Sequence, residues 1–166
     1  MFVDGNLNIN QNIQYPDVTT VGPSVPSGLV GYWNMDEASW NGTASEVRDS
    51  STSIIHGTAV NGASTIASGN PNSNFLRAGN FDGTDDYVTL GTNSAFQLQD
   101  QSLTAWVYLT SYAPGAAIIF SRSNSIFSAG YEWAVGSSGN FEFAYNDGSI
   151  RGWIADSRQL NLNTWY

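Results

Sequence analysis

Short apolar runs that alternate with period two, separated by turn residues, limit the fold of this chain more than any other feature. In Ser102–Thr110, Leu103, Val107 and their neighbours at every second position are apolar, while Trp106 and Tyr108 occupy the opposite side. This alternation is typical of strands with one face toward a core. No stretch of ten or more residues sustains a helical period, so the pattern predicts an all-β protein.

The predicted strands follow from these runs and from the turn signals between them. They are Leu29–Met35, Phe75–Phe81, Tyr87–Leu90, Ser102–Thr110, Ala116–Arg122, Tyr131–Gly136, Phe141–Asn146, Arg151–Ala155 and Gln159–Leu162. Their spacing favours a sandwich over alternating strand and helix units. The predicted core consists of Trp33, Phe81, Val88, Leu103, Trp106, Val107, Ile119, Trp133, Phe141 and Phe143.

The N-terminal segment forms a separate pattern. Met1–Tyr15 alternates, and the apolar residues predicted to share one face are Val3, Leu7, Ile9, Ile13 and Tyr15. Pro16, Pro23 and Pro26 follow, a composition typical of an extended linker. We therefore predict an N-terminal strand and linker over residues 1–27 and a domain over 28–166. The strand is expected to pair with a sheet edge, either of its own domain or of a neighbouring copy.

Composition excludes several classes of function. The formal net charge is −9, there is no lysine, and the positive side chains are five arginines. Nucleic acids and anionic membranes are therefore unsuitable partners, because binding to either requires clustered cations. Cysteine is absent, which excludes disulfides and cysteine-based zinc sites. The one histidine, His56, leaves little room for histidine-dependent catalysis.

An acidic turn is the candidate metal site. Asp82, Asp85 and Asp86 surround Gly83 and Thr84, and carboxylate oxygens are the ligands that Ca²⁺ prefers. Asp36 and Asp49 are expected to come close to this turn and complete the site, so a structural Ca²⁺ is predicted. The alternative is that these aspartates only shape the turn and solvate the surface.

Three aromatic residues are candidates for ligand binding. Trp40 lies in a polar loop, Trp153 follows a glycine, and Tyr112 opens the loop Tyr112–Gly115. Exposed aromatic faces suit the stacking of sugars. A glycosidase would need two facing acids. Glu132 and Glu142 lie on neighbouring predicted strands, but alternation already explains them as solvent-facing residues.

Several short sequence motifs, in their order along the chain, resemble those of the bacterial laminin-G-like domains of the concanavalin A-like lectin/glucanase superfamily. They are Gly28–Glu37, Asp49–Ser51 followed by His56-Gly57, Asn80–Val88, Leu103–Val107 and Asn163–Tyr166. The resemblance implies a two-sheet antiparallel jelly-roll sandwich with binding loops at its rim. Such domains usually continue through further strands beyond the position of Tyr166. We therefore expect that the chain is a fragment, that another chain supplies these strands, or that the fold closes without them.

The function expected from these features is non-enzymatic. A binding or adhesion module at an extracellular, cell or virion surface would recognise a glycan or a surface protein. The alternative is a structural subunit of a filament, pilus-like fibre or phage tail, assembled by strand addition between copies or from a complementing chain. A glycoside hydrolase is the third and most remote interpretation, because no predicted strand carries a pair of acids.

Overall fold

The computed structural model describes residues 2–4, 28–67, 71–72, 74–97, 101–122, 130–146, 148 and 151–166, without the side chains of residues 2–4, 151, 153 and 154. The strands are β1 Phe2–Asp4, β2 Leu29–Tyr32, β3 Thr58–Val60, β4 Ser64–Ile66, β5 Ala78–Asn80, β6 Tyr87–Thr89, β7 Ser102–Thr104, β8 Ala117–Ser121, β9 Gly130–Val135, β10 Asn140–Asn146 and β11 Arg151–Gln159. Every strand pair in this described part is antiparallel. The all-β, antiparallel class predicted from the alternation is confirmed.

Several predicted strand boundaries were wrong. The segment predicted as one strand over 102–110 ends as a strand at Thr104, and Val107 pairs instead with Tyr166 through two backbone hydrogen bonds of 2.9 and 3.0 Å. The strand predicted over 151–155 continues as β11 through a polar stretch to Gln159, and the strand predicted over 159–162 does not extend beyond Gln159. Strands β3 and β4 were missed, because three residues are too few to display an alternation.

The chain divides into two compact units, residues 1–104 and 105–166. The first unit contains a three-stranded sheet in the order β2-β1-β7 and two small ladders, β3-β6 and β4-β5. Between β2 and β3, a bridge between Val47 and Gly57 places the fully buried Val47 side chain inside the unit. The predicted domain boundary near Gly28 stays a prediction.

Trp33 is the centre of the first unit. Its side chain is 2% exposed, its indole N–H donates to the carbonyl of Ile55 at 3.0 Å, and its ring lies 6.2 Å from that of Phe96. Gly31 lies directly against the indole, since a Cβ at that position would come within 2.2 Å of the ring. Only glycine therefore allows the strand to approach this closely.

The second unit is built on the sheet β11-β10-β9-β8. One face of this sheet is aromatic: Tyr131 stacks on Phe120 at 5.9 Å and on Phe143 at 6.4 Å, and Trp133 lies 5.7 Å from Phe141. The turn between β9 and β10 closes with Gly139 at a φ of +78°, a conformation that glycine adopts without a steric penalty.

The predicted core was correct for Trp33 and wrong for two other aromatic residues. Phe81 is 43% exposed and Trp106 is 48% exposed. Trp106 lies on the outer side of the segment 105–110. Phe81 follows β5, and its ring lies 6.4 Å from that of Trp40 but remains partly in solvent. The remaining predicted core residues, Val88, Leu103, Val107, Ile119, Trp133, Phe141 and Phe143, are half-buried.

The N-terminal strand is described only for Phe2–Asp4 and only in its backbone. Phe2–Asp4 pairs with β2 on one side and with β7 on the other, which is one of the two arrangements expected for Val3. The predicted assembly-strand residues Leu7, Ile9, Ile13 and Tyr15 lie outside the described residues. Among the described residues, no helix is long and apolar enough to span a membrane.

Candidate functional site

The acidic turn lies between β5 and β6 in the first unit. Asp82, Asp85 and Asp86 each place a carboxylate oxygen within 4.8 Å of the other two. Two hydrogen bonds shape the turn: the backbone N–H of Thr84 donates to Asp82 Oδ1 at 2.7 Å, and that of Asp82 donates to Asp86 Oδ2 at 2.9 Å. Gly83 occupies the left-handed region with a φ of +78°. Three aspartates around an Asp-Gly turn are therefore a local sequence pattern, and this pattern is enough to bring their carboxylates together.

The second oxygen of Asp86 distinguishes this turn from an ordinary polar loop. Asp86 Oδ1 is buried and accepts no hydrogen bond within the described part of the chain. It faces Gly62, where a Cβ would lie 3.2 Å away, and the side chain of Asn61 donates to the carbonyl of Asp85 at 3.0 Å. A buried carboxylate oxygen without a donor is costly. Hard cations take such oxygens as ligands, so the cluster can hold a metal ion.

Asp36 is not part of this cluster. Its Oδ1 accepts from the backbone N–H groups of Leu76 and Arg77 at 2.8 and 2.9 Å, and its Oδ2 accepts from the side chain of Asn34 at 3.0 Å. The carboxylate therefore holds the chain ahead of β5, and its hydrogen bonds explain the residue without a metal.

Asp49 is likewise separate from the acidic turn, and it organises the loop after β2. It is 6% exposed and accepts four hydrogen bonds of 2.8–2.9 Å, from the backbone N–H groups of Tyr32, Ser51 and Ile55 and from the Ser51 hydroxyl. Its own N–H donates to His56 Nδ1 at 3.0 Å. The one histidine of the chain therefore serves as an acceptor inside this network.

Of the three predicted ligand-binding aromatics, the structure describes the side chains of Trp40 and Tyr112. The expectation that Trp40 is exposed is wrong: it is 6% exposed, because its indole N–H donates to Glu37 at 3.0 Å and its ring packs toward Phe81 at 6.4 Å. Tyr112 is half-buried and donates to the carbonyl of Leu160 at 2.6 Å. The side chain of Trp153 lies outside the described residues.

A different aromatic surface exists in the second unit, formed by Trp106, Tyr108 and Trp165. Trp106 is 48% exposed and Tyr108 is 41% exposed, and the rings of Tyr108 and Trp165 lie 5.3 Å apart at 48°. From 105 to 110 exposure alternates residue by residue, so Trp106 and Tyr108 share the outer side of one extended segment. A bridge between Tyr108 and Trp165 fixes the segment in place.

This aromatic surface was missed by sequence reasoning, although its signal was present. The alternation placed Trp106 and Tyr108 together, opposite Val107 and Leu109. The side that faces solvent could not be read from the alternation, because both sides carry apolar residues. Large aromatic type was then taken as a core signal.

Glu132 and Glu142 form a pair of acids on adjacent strands of the second unit. The register pairs Glu132 with Ala144 and Ala134 with Glu142, so the two acids are diagonal neighbours on one face, about 7–8 Å apart at their backbones. Burial, and then the charge of Glu142, raise the pKa of Glu132 above its usual value. The Glu142 carboxylate accepts a hydrogen bond from the Asn140 side chain at 3.3 Å. This arrangement favours the protonated form of Glu132.

Comparison with known proteins gives one match. The family model Laminin_G_3, described as the concanavalin A-like lectin/glucanases superfamily, matches residues 82–166, just over half of the chain. The match begins at the acidic turn and includes the aromatic surface. No curated protein and no solved structure matches the chain.

Proposed function

The chain belongs to the Laminin_G_3 family of the concanavalin A-like lectin/glucanase superfamily, and from this premise we propose that it is a non-enzymatic, extracellular adhesion module that binds a glycan. The observation that carries the proposal is the aromatic surface of Trp106, Tyr108 and Trp165. Two neighbouring outward positions that are 48% and 41% exposed leave ring area free for a ligand.

Aromatic rings in this setting suit sugars for two reasons. Each ring offers an apolar face with a polar rim, and Tyr and Trp also carry a hydrogen-bonding group. Exposed apolar patches on soluble proteins often mark interaction sites. The formal charge of −9 repels anionic polymers, so the ligand class we propose is an uncharged glycan on a cell or matrix surface.

Binding to neutral glycans tests this proposal. An array of neutral and acidic glycans should show binding to the neutral class. Calorimetry with the best ligand should show that Trp106→Ala and Tyr108→Ala each raise the Kd at least about fivefold, since an aromatic residue that anchors a ligand contributes more than about 1 kcal/mol.

The matched control is Ile118→Ala, because Ile118 is 50% exposed in the same unit but lies on β8. This variant should bind like the parent. Absence of glycan binding together with binding to a surface protein through the same residues would reassign the ligand class. An equal loss of glycan affinity in Trp106→Ala, Tyr108→Ala and Ile118→Ala would show that the aromatic surface is not the binding site.

The non-enzymatic part of the proposal is supported by where the reactive groups lie. His56 accepts a hydrogen bond within a structural loop and is therefore engaged in the fold. The raised pKa of Glu132 is the one feature among the described residues that an acid catalyst would need, so hydrolysis is tested directly. Incubation with β-glucans and analysis of reducing ends should show no hydrolysis. Hydrolysis that disappears in Glu132→Gln and Glu142→Gln would instead establish a glycosidase.

The acidic turn is proposed as a structural Ca²⁺ site that stabilises the first unit. Asp82, Asp85 and Asp86 would supply carboxylate ligands, and water or backbone carbonyls would complete a set of 6–8 oxygens. An ion that binds only the folded state raises the melting temperature by mass action.

The melting temperature in excess Ca²⁺ should therefore exceed that in chelator. Asp85→Asn tests the site, because the two hydrogen bonds that shape the turn involve Asp82 and Asp86. This variant should lose the difference, whereas Asp156→Asn, at an acid paired with Arg158 in the other unit, should retain it. Identical melting of the parent with and without Ca²⁺ would end the proposal.

A further inference from the structure

Strand β1 is paired along both of its edges. It is the central strand of its sheet, with β2 on one side and β7 on the other. Both ladders are antiparallel, and Val3 is in register with Gly31 and with Leu103. If β1 were absent, β2 and β7 would each present an unpaired edge, which attracts any strand able to pair with it. The position between β2 and β7 is thus a slot that requires a strand.

The covalent connection does not dictate which copy supplies that strand. Asp4 and Leu29 are register partners in one ladder, so β1 and β2 form a hairpin whose connection is residues 5–28. Hairpin connections are usually 2–5 residues long, and a connection that short would force β1 onto its own β2. The present connection can reach at most about 80 Å when extended. The strand therefore has the reach to enter a neighbouring molecule.

We propose that β1 is an exchangeable strand, and that the slot between β2 and β7 of one copy accepts residues Phe2–Asp4 of a second copy. Strand exchange of this kind links copies without creating a new binding surface, because every backbone pair in the slot is the same in both arrangements. Strand exchange does not depend on glycan binding, so the failure of either proposal leaves the other unaffected.

Concentration decides between the two arrangements. Since their contacts are equal, the balance depends on the protein concentration relative to the effective concentration of the tethered strand. That effective concentration is of millimolar order for short flexible linkers and falls as the connection lengthens. At low protein concentration, the slot of each copy should be filled by β1 of the same chain. At high concentration, an increasing fraction of slots should be filled by β1 of another copy. Reciprocal exchange yields closed dimers, whereas head-to-tail exchange yields open chains of copies.

Cysteine cross-linking tests the exchange in the full chain, which contains no native cysteine. Val3→Cys and Leu103→Cys are single variants at register partners, where the backbone spacing of facing strands suits a disulfide. The two variants are mixed in equal amounts, unfolded, refolded together at concentrations from about 10 μM to about 1 mM, and oxidised. Exchange should produce a disulfide-linked dimer of unlike copies whose yield rises with concentration.

Two controls complete the experiment. The double variant Val3→Cys with Leu103→Cys measures pairing within one chain at low concentration, and a mixture of Val3→Cys with Ser138→Cys measures random collision, because Ser138 is exposed in a turn. If a substitution prevents folding, Asp4→Cys and Ser102→Cys provide a second register pair. A yield at least about fivefold above random collision supports exchange. Efficient linkage within the chain, with dimer yield at the collision level at every concentration, would overturn the proposal.

Discussion

Replacing Trp106 by alanine separates the fold of the second unit from the proposed site on its surface. A tryptophan side chain buries roughly 200 Å² when fully enclosed. Because Trp106 is 48% exposed, the substitution removes about half of that area from the folded state. At about 25 cal/mol per Å², the loss in free energy of unfolding is at most about 2.5 kcal/mol, and it is smaller where the unfolded chain already shields the ring.

Trp33 provides the buried reference for the same substitution. It is 2% exposed, and its indole N–H satisfies the carbonyl of Ile55. Trp33→Ala therefore removes the full buried area, leaves a cavity and orphans a carbonyl. The expected loss is about 3–5 kcal/mol, with an added cost for the unpaired oxygen.

Urea unfolding followed by far-ultraviolet circular dichroism measures both variants against the parent, with Ile118→Ala as the half-exposed aliphatic control. Extrapolated free energies carry about 10–15% uncertainty, so the two tryptophan variants are compared through their urea midpoints at a common m-value. Trp106→Ala should remain folded while its glycan binding falls. A loss of stability in Trp106→Ala equal to that in Trp33→Ala would show that Trp106 is enclosed, and would refute both its exposure and its place in the binding surface.

Three further substitutions test individual contacts. Burial and the charge of Glu142 raise the folded-state pKa of Glu132, so its contribution to stability is present below about pH 4 and is lost as the pH rises through the folded-state pKa. Glu132→Gln should therefore unfold at higher urea than the parent at pH 7 and should match it at pH 3.5, and Glu142→Gln should reproduce part of the gain; a gain independent of pH would contradict this. Asp49→Ala deprives three backbone N–H groups and one hydroxyl of their acceptor, and should cost at least about 3 kcal/mol in urea unfolding, whereas near-parental stability would show that water replaces the carboxylate. Gly31→Ala places a methyl group against the indole of Trp33 and should lower stability by about 1–3 kcal/mol, while an unchanged melting temperature would place the indole elsewhere.

The acidic turn shows how far local sequence predicts a site. Asp82, Asp85 and Asp86 are within five positions of one another, and an Asp-Gly turn brings such residues together whatever the rest of the fold does. Asp36 and Asp49 were expected to join them, but each is held by hydrogen bonds to other segments. The partners of Asp36 are Leu76 and Arg77, forty residues along the chain, which no local pattern could identify. Asp49 is held mainly by its near neighbours Ser51 and Ile55, a local arrangement that the metal interpretation overlooked.

The binding surface illustrates the opposite case. Alternation separated the two sides of 105–109 correctly, yet Trp40 was expected to be exposed and Trp106 buried, and both were wrong. A tryptophan in a polar loop is buried when a carboxylate reaches its N–H, as Glu37 does. A tryptophan in an extended segment, such as Trp106, is exposed when the packing layer lies on the other side.

The sequence by itself determined the all-β class, the strands β9 and β10 and the acidic turn, because alternation and turn chemistry act over a few residues. The sequence also contains the motifs that relate the chain to its family, and these are recognised without a structure. Only the tertiary structure decided which face of each strand is enclosed and where β1 inserts. Those outcomes depend on contacts between segments far apart in the chain, and the free energy of such contacts belongs to the packed arrangement rather than to any single segment.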